Sequence, residues 1–301
     1  MAEPIKIGII GGSGLYALAT GDSAGAEDDV QEAYAIRTPF GKPSDAIRIA
    51  EVAGSRVAFV ARHGQGHRFS PTEVPYAANI YALKSLGVRF IIAVSACGSL
   101  RQDYAPGHIC IPDQLVDFTR EPRQRTFFGE GLVGHVGVGE PFSPALSAIL
   151  VDAAEAAGAR VQRGGTFVTV EGPRFSTRAE SEMFRQLGFS IIGMTTSPEA
   201  FLAREAEIAY AVFAHITDYD VWHPEEADVS AASVMETFAR NIQVARQAIL
   251  EALPRIAAVQ DEVWPAHTAL QGALMTHPNR VPPETLDKLR PLVGRYLDSH
   301  S

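Results

Sequence analysis

The sequence predicts an α/β fold, a single three-layer domain in which helices cover both faces of a central β-sheet. Two observations carry this. Short apolar runs alternate with segments of helical periodicity over most of the chain. The runs are also apolar nearly throughout, as expected of strands buried on both faces. The chain shows no internal repeat and no Gly/Ser linker, so one domain is expected.

Taken in order, strands are expected at Lys6–Ile10, Val57–Ala61, Phe90–Val94, His108–Ile111, Thr166–Val170, Ser190–Gly193 and Ala209–Ile216. Helices at Pro75–Leu86, Ser143–Ala157, Thr177–Leu187 and Pro198–Ala206 fall between them. A long helix, Ser230–Ala252, follows the last strand. Ser230 supplies its N-cap hydroxyl, and Ala231, Val234, Met235, Phe238, Ile242, Ala245 and Ile249 form an apolar stripe at 3.6-residue spacing. Beyond Pro254 the chain is richer in proline (Pro265, Pro278, Pro282, Pro283, Pro291), with short apolar pieces such as Leu270–Leu274. The domain is therefore drawn as residues 1–256, and 257–301 as a C-terminal arm packed on it or on a neighbouring subunit.

Composition narrows the function classes. With 46% hydrophobic and 20% charged residues in 301, the chain reads as a soluble globular protein rather than a disordered one. Its 35 acidic residues against 26 basic ones give a formal charge of −9, a surface that repels nucleic acid and anionic membranes. A small anion would need a local nest of donors. No signal-like start and no apolar run of membrane-spanning length is present, so a cytoplasmic protein is expected. Cys97 and Cys110 offer neither a disulfide framework nor metal-ligand spacing and read as small buried side chains.

Ligands in such sheets bind beyond the strand ends. After the first strand comes Gly11-Gly12-Ser13-Gly14, which reads as a phosphate loop, as a plain tight turn, or as part of a dinucleotide fingerprint. The last is incomplete, because Ala17 stands where its third glycine belongs. A nicotinamide-dependent oxidoreductase, the alternative from another class, would need that fuller fingerprint. Arg62-His63-Gly64 follows the second strand and offers a planar fork of donors beside a proton-transferring ring, or simply a salt-bridge partner. Ser95-Ala96-Cys97-Gly98-Ser99 and Met194-Thr195-Thr196 add hydroxyls and exposed N–H groups at two further strand ends. Their convergence favours a phosphate or sulfate pocket.

The last strand runs into Thr217-Asp218-Tyr219-Asp220. On an extended segment Asp218 and Asp220 point the same way, and two carboxyls sharing a pocket cannot both ionise cheaply. A protonated carboxyl donating to a ring nitrogen, with its charged partner accepting from an amine, matches N7 and the 6-amino group of adenine. A divalent-metal site and a pair of surface aspartates in a turn are the other two readings.

Several segments together resemble a known family. These are Ile9-Ile10-Gly11-Gly12-Ser13-Gly14-Leu15, Thr38-Pro39-Phe40-Gly41-Lys42-Pro43-Ser44, Ala61-Arg62-His63-Gly64, Ala96-Cys97-Gly98-Ser99-Leu100, Val170-Glu171-Gly172-Pro173-Arg174-Phe175-Ser176, Met194-Thr195-Thr196 and Thr217-Asp218-Tyr219-Asp220-Val221-Trp222. In this order they resemble the methylthioadenosine phosphorylases, of the trimeric purine nucleoside phosphorylase type. The resemblance implies a central mixed sheet flanked by helices, a homotrimer or dimer of trimers, and phosphorolysis of 5′-methylthioadenosine to adenine and 5-methylthioribose 1-phosphate. It implies no cofactor and no metal, phosphate being a co-substrate. Phosphate would be held by Ser13, Arg62, His63, Ser95, Ala96 and Thr195. Met194 would lie against the ribose and Phe175 against the purine. Asp218, Tyr219 and Asp220 would form the base site, with the two aspartates catalytic. His135, Ala231 and Val234 would line the 5′-thiomethyl pocket, and Ser176 and Ala231 match positions that separate this activity from 6-oxopurine phosphorylases, the alternative within the same chemistry. Ser13 and Ser95 replace a threonine common in the family and keep its hydroxyl; Ala231 replaces a larger valine and widens the 5′ pocket. The resemblance also implies an apolar residue from a neighbour's C-terminal part closing that pocket, to which Leu270 and Leu274 are only loose matches.

Overall fold

The computed structural model describes residues 5–11, 32–224 and 229–297, and within them all side chains except those at 233, 235 and 238–242. Ser13, Gly12 and Gly14 lie outside the described residues, as do the side chains of Met235, Phe238 and Ile242 in the expected apolar stripe.

One mixed sheet of eleven strands, among the described residues, forms the middle layer. The strands are β1 (Ile7–Gly11), β2 (Glu32–Tyr34), β3 (Ile47–Val52), β4 (Ser55–Ala61), β5 (Phe90–Ser99), β6 (Ile109–Ile111), β7 (Gln114–Asp117), β8 (Val161–Arg163), β9 (Thr166–Thr169), β10 (Ile191–Gly193) and β11 (Ala209–Asp218). All seven expected strands are present. Four more, β2, β3, β7 and β8, are additions; β2 and β8 are three-residue pieces without a continuous apolar run. β3 reads IRIAEV and pairs antiparallel with β4, so its composition is less uniformly apolar than the two-face pattern demands.

The helices are α1 (Tyr76–Ser85), α2 (Pro144–Ala156), α3 (Arg178–Gln186), α4 (Thr196–Glu205), α5 (Ala231–Ala258) and α6 (Pro283–Leu297). α3 begins in a reciprocal cap: Glu180 N–H donates to Thr177 Oγ1 at 3.2 Å, and Thr177 N–H donates to Glu180 Oε2 at 2.8 Å. Two large cores flank the sheet, and a smaller cluster gathers Leu100, Val168, Phe184 and Ile192. On one face Ile80 and Leu83 of α1, Leu202 of α4 and Leu289 and Leu292 of α6 are buried together. On the other, Leu146 and Leu150 of α2 meet Ala245, Ile249 and Leu253 of α5. The expected single three-layer domain, a mixed sheet flanked by helices, is present.

Residues beyond 256 join the first of these cores through Leu270, Leu289, Leu292, Val293 and Leu297. The same stretch is stitched to the loop at 129–136: Gly134 bridges Leu274, His135 N–H donates to Ala273 O at 2.9 Å, and Met275 N–H donates to Val133 O at 2.8 Å.

β5 organises the centre. Along one edge β11 runs parallel to it from Ala209 opposite Phe90 to Asp218 opposite Gly98. Along the other edge two strands share its length. β1 runs parallel to Phe90–Ala93, and β10 runs antiparallel to Gly98 and Ser99. The C-terminal ends of β1 and β10 thus face one another, and between them Val94–Cys97 have no strand partner on that edge among the described residues.

Candidate active site

The break in the ladder opens into a cavity of about 260 Å³. Its floor is Val94–Gly98 of β5, which corrects the expectation that Ser95–Ser99 form a loop after a strand ending at Val94. The strand continues because β11 and then β10 supply ladder partners for it. The donors of Ser95 and Ala96 are therefore held by a rigid element, facing the edge that no strand occupies.

One end of the cavity gathers Arg62, His63, His67, Ser95 and Thr195. Arg62 follows β4 and is 3% exposed, and its Nε and Nη2 both donate to Glu199 of α4 at 2.8 Å. Nη1 donates to Val94 O at 3.0 Å, so three of the five guanidinium N–H groups are used and two remain for a ligand. Burial opposes the Arg62 charge, but the Glu199 carboxylate more than reverses this and holds the guanidinium firmly protonated. Tyr210 of β11 donates its hydroxyl to the same carboxylate at 2.8 Å.

His63 Nδ1 lies 2.9 Å from Phe69 O, which requires Nδ1–H and leaves Nε2 as an acceptor. Burial, with the Arg62 cation adding to it, lowers His63 to a pKa of about 4, so the ring is neutral at pH 7. The His67 ring stacks on it at 4.2 Å and also lines the cavity. Thr195, at the start of α4, lines the same cavity; just beyond it the Ser197 N–H is taken by Thr169 Oγ1 at 3.1 Å and Pro198 has none to offer.

The other end carries the two aspartates. Both line the cavity, though not by the extended geometry expected of them. The β11–β5 register shifts between Ile216 and Asp218, and Asp220 takes a left-handed φ of 51°. In this turn Asp220 N–H donates to Asp218 Oδ1 at 2.8 Å and Thr217 Oγ1 donates to Asp218 Oδ2 at 2.6 Å. Asp218 is raised to a pKa of about 6, chiefly by burial; the charge of Asp220 is the smallest contribution. Asp220 is also raised, again by burial first, and its Oδ2 is buried without a hydrogen-bond partner. Like-charge repulsion was thus the wrong principal cause; desolvation does most of the work. No cluster of three metal-ligating side chains occurs here among the described residues.

Between the two ends, Val170, Ile192, Met194, Phe175, Ser176 and Val234 form the walls. Met194 lies over Gly172, where a Cβ would come within 2.5 Å of its sulfur. The turn after β10 is braced from behind by Arg123, which is 6% exposed. Its Nη1 donates to Met194 O at 2.7 Å and Ser197 O at 3.1 Å, and its Nη2 donates to Glu171 Oε1 at 2.6 Å.

Of the residues expected at the site, Arg62, His63, Ser95, Ala96, Phe175, Ser176, Met194, Thr195, Asp218, Asp220 and Val234 share this one cavity. Three do not line it. Tyr219 directs its hydroxyl to Gln102 O at 3.2 Å, Ala231 is exposed at the start of α5, and His135 is exposed on the loop tied to residues 273–276. Glu199, Tyr210 and Arg123 were missed, and Thr217 was part of the motif but was given no role. Glu199 lies 137 positions from Arg62, and no local pattern joins them.

The chain matches the Phosphorylase superfamily over residues 6–254. It is 53% identical over 294 residues to the S-methyl-5′-thioadenosine phosphorylase of Chloroflexus aurantiacus, covering 96% of this chain and 98% of that protein. The chain belongs to the methylthioadenosine phosphorylase family. A second relative of the same name, from Geobacter sulfurreducens, is 47% identical over 97% of this chain and 99% of its own. Among solved structures, a methylthioadenosine phosphorylase from an antarctic soil metagenomic library superposes with a TM-score of 0.87 at 46% identity, covering 96% of this chain and 99% of that one. A variant adenosine/methylthioadenosine phosphorylase of Schistosoma mansoni, in complex with methylthioadenosine, gives a TM-score of 0.80 at 34% identity over 90% of this chain and 99% of that one. The mixed sheet, the flanking helices and the paired aspartates are thus read within one phosphorylase family.

Proposed function

We infer that this chain catalyses the phosphorolysis of S-methyl-5′-thioadenosine to adenine and 5-methylthioribose 1-phosphate. The observation that carries the reading is the polarity of a single cavity: an anion end at Arg62 and Thr195, and at the other end a carboxyl raised to about 6 beside an unpartnered carboxylate oxygen. Phosphate needs no cofactor here. It is placed by the two remaining Arg62 N–H groups, the Ser95 hydroxyl and the Thr195 hydroxyl. Because His63 Nε2 is an acceptor, it takes a hydrogen bond from a protonated phosphate oxygen. An oxygen of phosphate forms the new bond to C1′ as the C1′–N9 bond breaks, with that electron pair going to the purine. Asp218 gives its proton to N7, and Asp220 Oδ2 accepts from the 6-amino group. A 6-oxopurine would set its carbonyl against that same oxygen, which disfavours inosine.

His135 lies outside its own chain's cavity, flanked by Val133, Val138 and Met275, which are 48%, 41% and 62% exposed. An exposed apolar rim around a residue assigned to the 5′ pocket supports its delivery by a second copy, and so a homotrimer or a dimer of trimers. No helix among the described residues is long and apolar enough to cross a membrane, and we assign the protein to the cytoplasm.

The test is phosphate-dependent adenine release from methylthioadenosine, adenosine and inosine. Methylthioadenosine is expected to be the best substrate, and Asp218→Asn to lower its turnover by roughly 10²–10⁴-fold. Adenine release without phosphate, or inosine cleaved as well as methylthioadenosine, refutes the assignment.

A further inference from the structure

Thr217 is 4% exposed and sits between β5 and the base end of the cavity. Its hydroxyl has one proton and two acceptors within reach, Asp218 Oδ2 at 2.6 Å and Cys97 O at 3.2 Å. The two bonds are alternatives. Asp218 Oδ1 is committed to the Asp220 N–H at 2.8 Å, and the absence of a Cβ at Gly98 leaves it room, since one would stand 2.9 Å away. The Asp220 N–H is better met by the carbonyl oxygen of the neutral acid than by its hydroxyl oxygen, so the neutral acid carries its proton on Oδ2. That oxygen has a second lone-pair site, through which the hydroxyl can still reach it.

We propose that Thr217 is a positioning residue for the proton donor, its hydroxyl turning from the Cys97 carbonyl to Asp218 Oδ2 as the carboxyl gives up its proton. This rests on the reading of Asp218 as the acid that protonates the purine. In that step the Asp218 O–H bond breaks, an N–H bond forms at N7, and the electron pair stays on Oδ2. Oδ2 is a weak acceptor while protonated and a strong one once charged, because hydrogen bonds to ions are the stronger kind. The rotation therefore favours the charged product of the transfer. Burial raises Asp218, and the Thr217 hydroxyl is the largest influence pulling it back down.

Among the described residues, the titratable groups that act on this pair are Asp220 beside Asp218, the Cys97 thiol on β5, and Glu180 of α3, which acts on Asp220. Arg62, His63 and His67 line the far part of the same cavity.

The test compares Thr217→Val, Thr217→Ser and the unchanged protein by the pH dependence of kcat/KM for methylthioadenosine at saturating phosphate. A midpoint does not depend on how much enzyme has folded, and the ionisation of phosphate is common to all three. Removing the donor is expected to move the alkaline fall in activity upward by about one to two pH units, and to lower the plateau roughly threefold to tenfold as the acid weakens. Thr217→Ser restores both. An unmoved midpoint in Thr217→Val, or an equal movement in Thr217→Ser, overturns the proposal while leaving Asp218 as the acid. Wild-type turnover in Asp218→Asn would overturn the acid role and the proposal with it.

Discussion

Replacing Glu199 with glutamine keeps the shape of the Arg62 partner and removes its charge. In the native protein Arg62 is 3% exposed and Glu199 fully buried, with two guanidinium bonds and one from Tyr210, each of 2.8 Å, converging on the carboxylate. Leaving one member of a buried pair uncompensated costs about 3–5 kcal/mol, and the glutamine amide would turn a donor toward the guanidinium donors. At about 2 °C per kcal/mol for a chain of this size, the melting temperature without phosphate should fall by about 6–10 °C. Phosphate then replaces the missing counter-charge. For the unchanged protein, phosphate at 100 times its dissociation constant adds about 2.7 kcal/mol; the variant, whose Arg62 is no longer neutralised, should gain more at the same concentration. The assay is thermal unfolding with and without phosphate at one fixed protein concentration. A melting temperature within about 2 °C of wild type without phosphate, or a smaller phosphate-induced rise in the variant, refutes the reasoning.

Asp218→Asn should be more stable than wild type at neutral pH, although its turnover is expected to be lower. Asp218 is raised to about 6, so its charged form is penalised by the fold. That cost is absent below the ordinary aspartate range, grows as pH rises toward about 6 and is complete above it. The variant's advantage in melting temperature should therefore appear at pH 7.5 and vanish near pH 4; a gap that does not change with pH would show that the Asp218 charge is not the cause. Gly172→Ala would place a Cβ within 2.5 Å of the Met194 sulfur and 2.9 Å of Pro71 Cγ, pushing Met194 into the cavity. The KM for the nucleoside should rise by about tenfold, with that for phosphate changed less, and equal changes in both would count against the assignment of Met194 to the ribose.

The seven expected strands were readable because they are largely buried and so apolar nearly throughout. β2 and β8 lack that signature, lying at three residues each on the sheet's margins. α6 was hidden by Pro283 and Pro291, which read as breakers; Pro283 is tolerated in its first turn, and Leu289, Leu292 and Leu297 make the packing that offsets Pro291. The site's polar side chains were legible as residue types at strand ends. Their partners were not, because Arg62–Glu199 and Arg123–Glu171 span 137 and 48 positions and only the fold brings them together. The cause of the Asp218 shift was likewise out of reach, since enclosure under β5 and β11 is a property of the folded sheet.

The stitching of residues 273–276 to the loop at 129–136 bears on how this scaffold can be re-engineered. His135 donates its backbone N–H to Ala273 O, and Val133 accepts from Met275 N–H and donates to Thr276 Oγ1 at 2.9 Å. Loop and arm are one hydrogen-bonded unit, although more than a hundred positions of chain separate them. A chimera carrying a relative's loop on this arm would join two backbones that were never shaped to each other, whereas grafting both segments at once would carry the His135 geometry across intact.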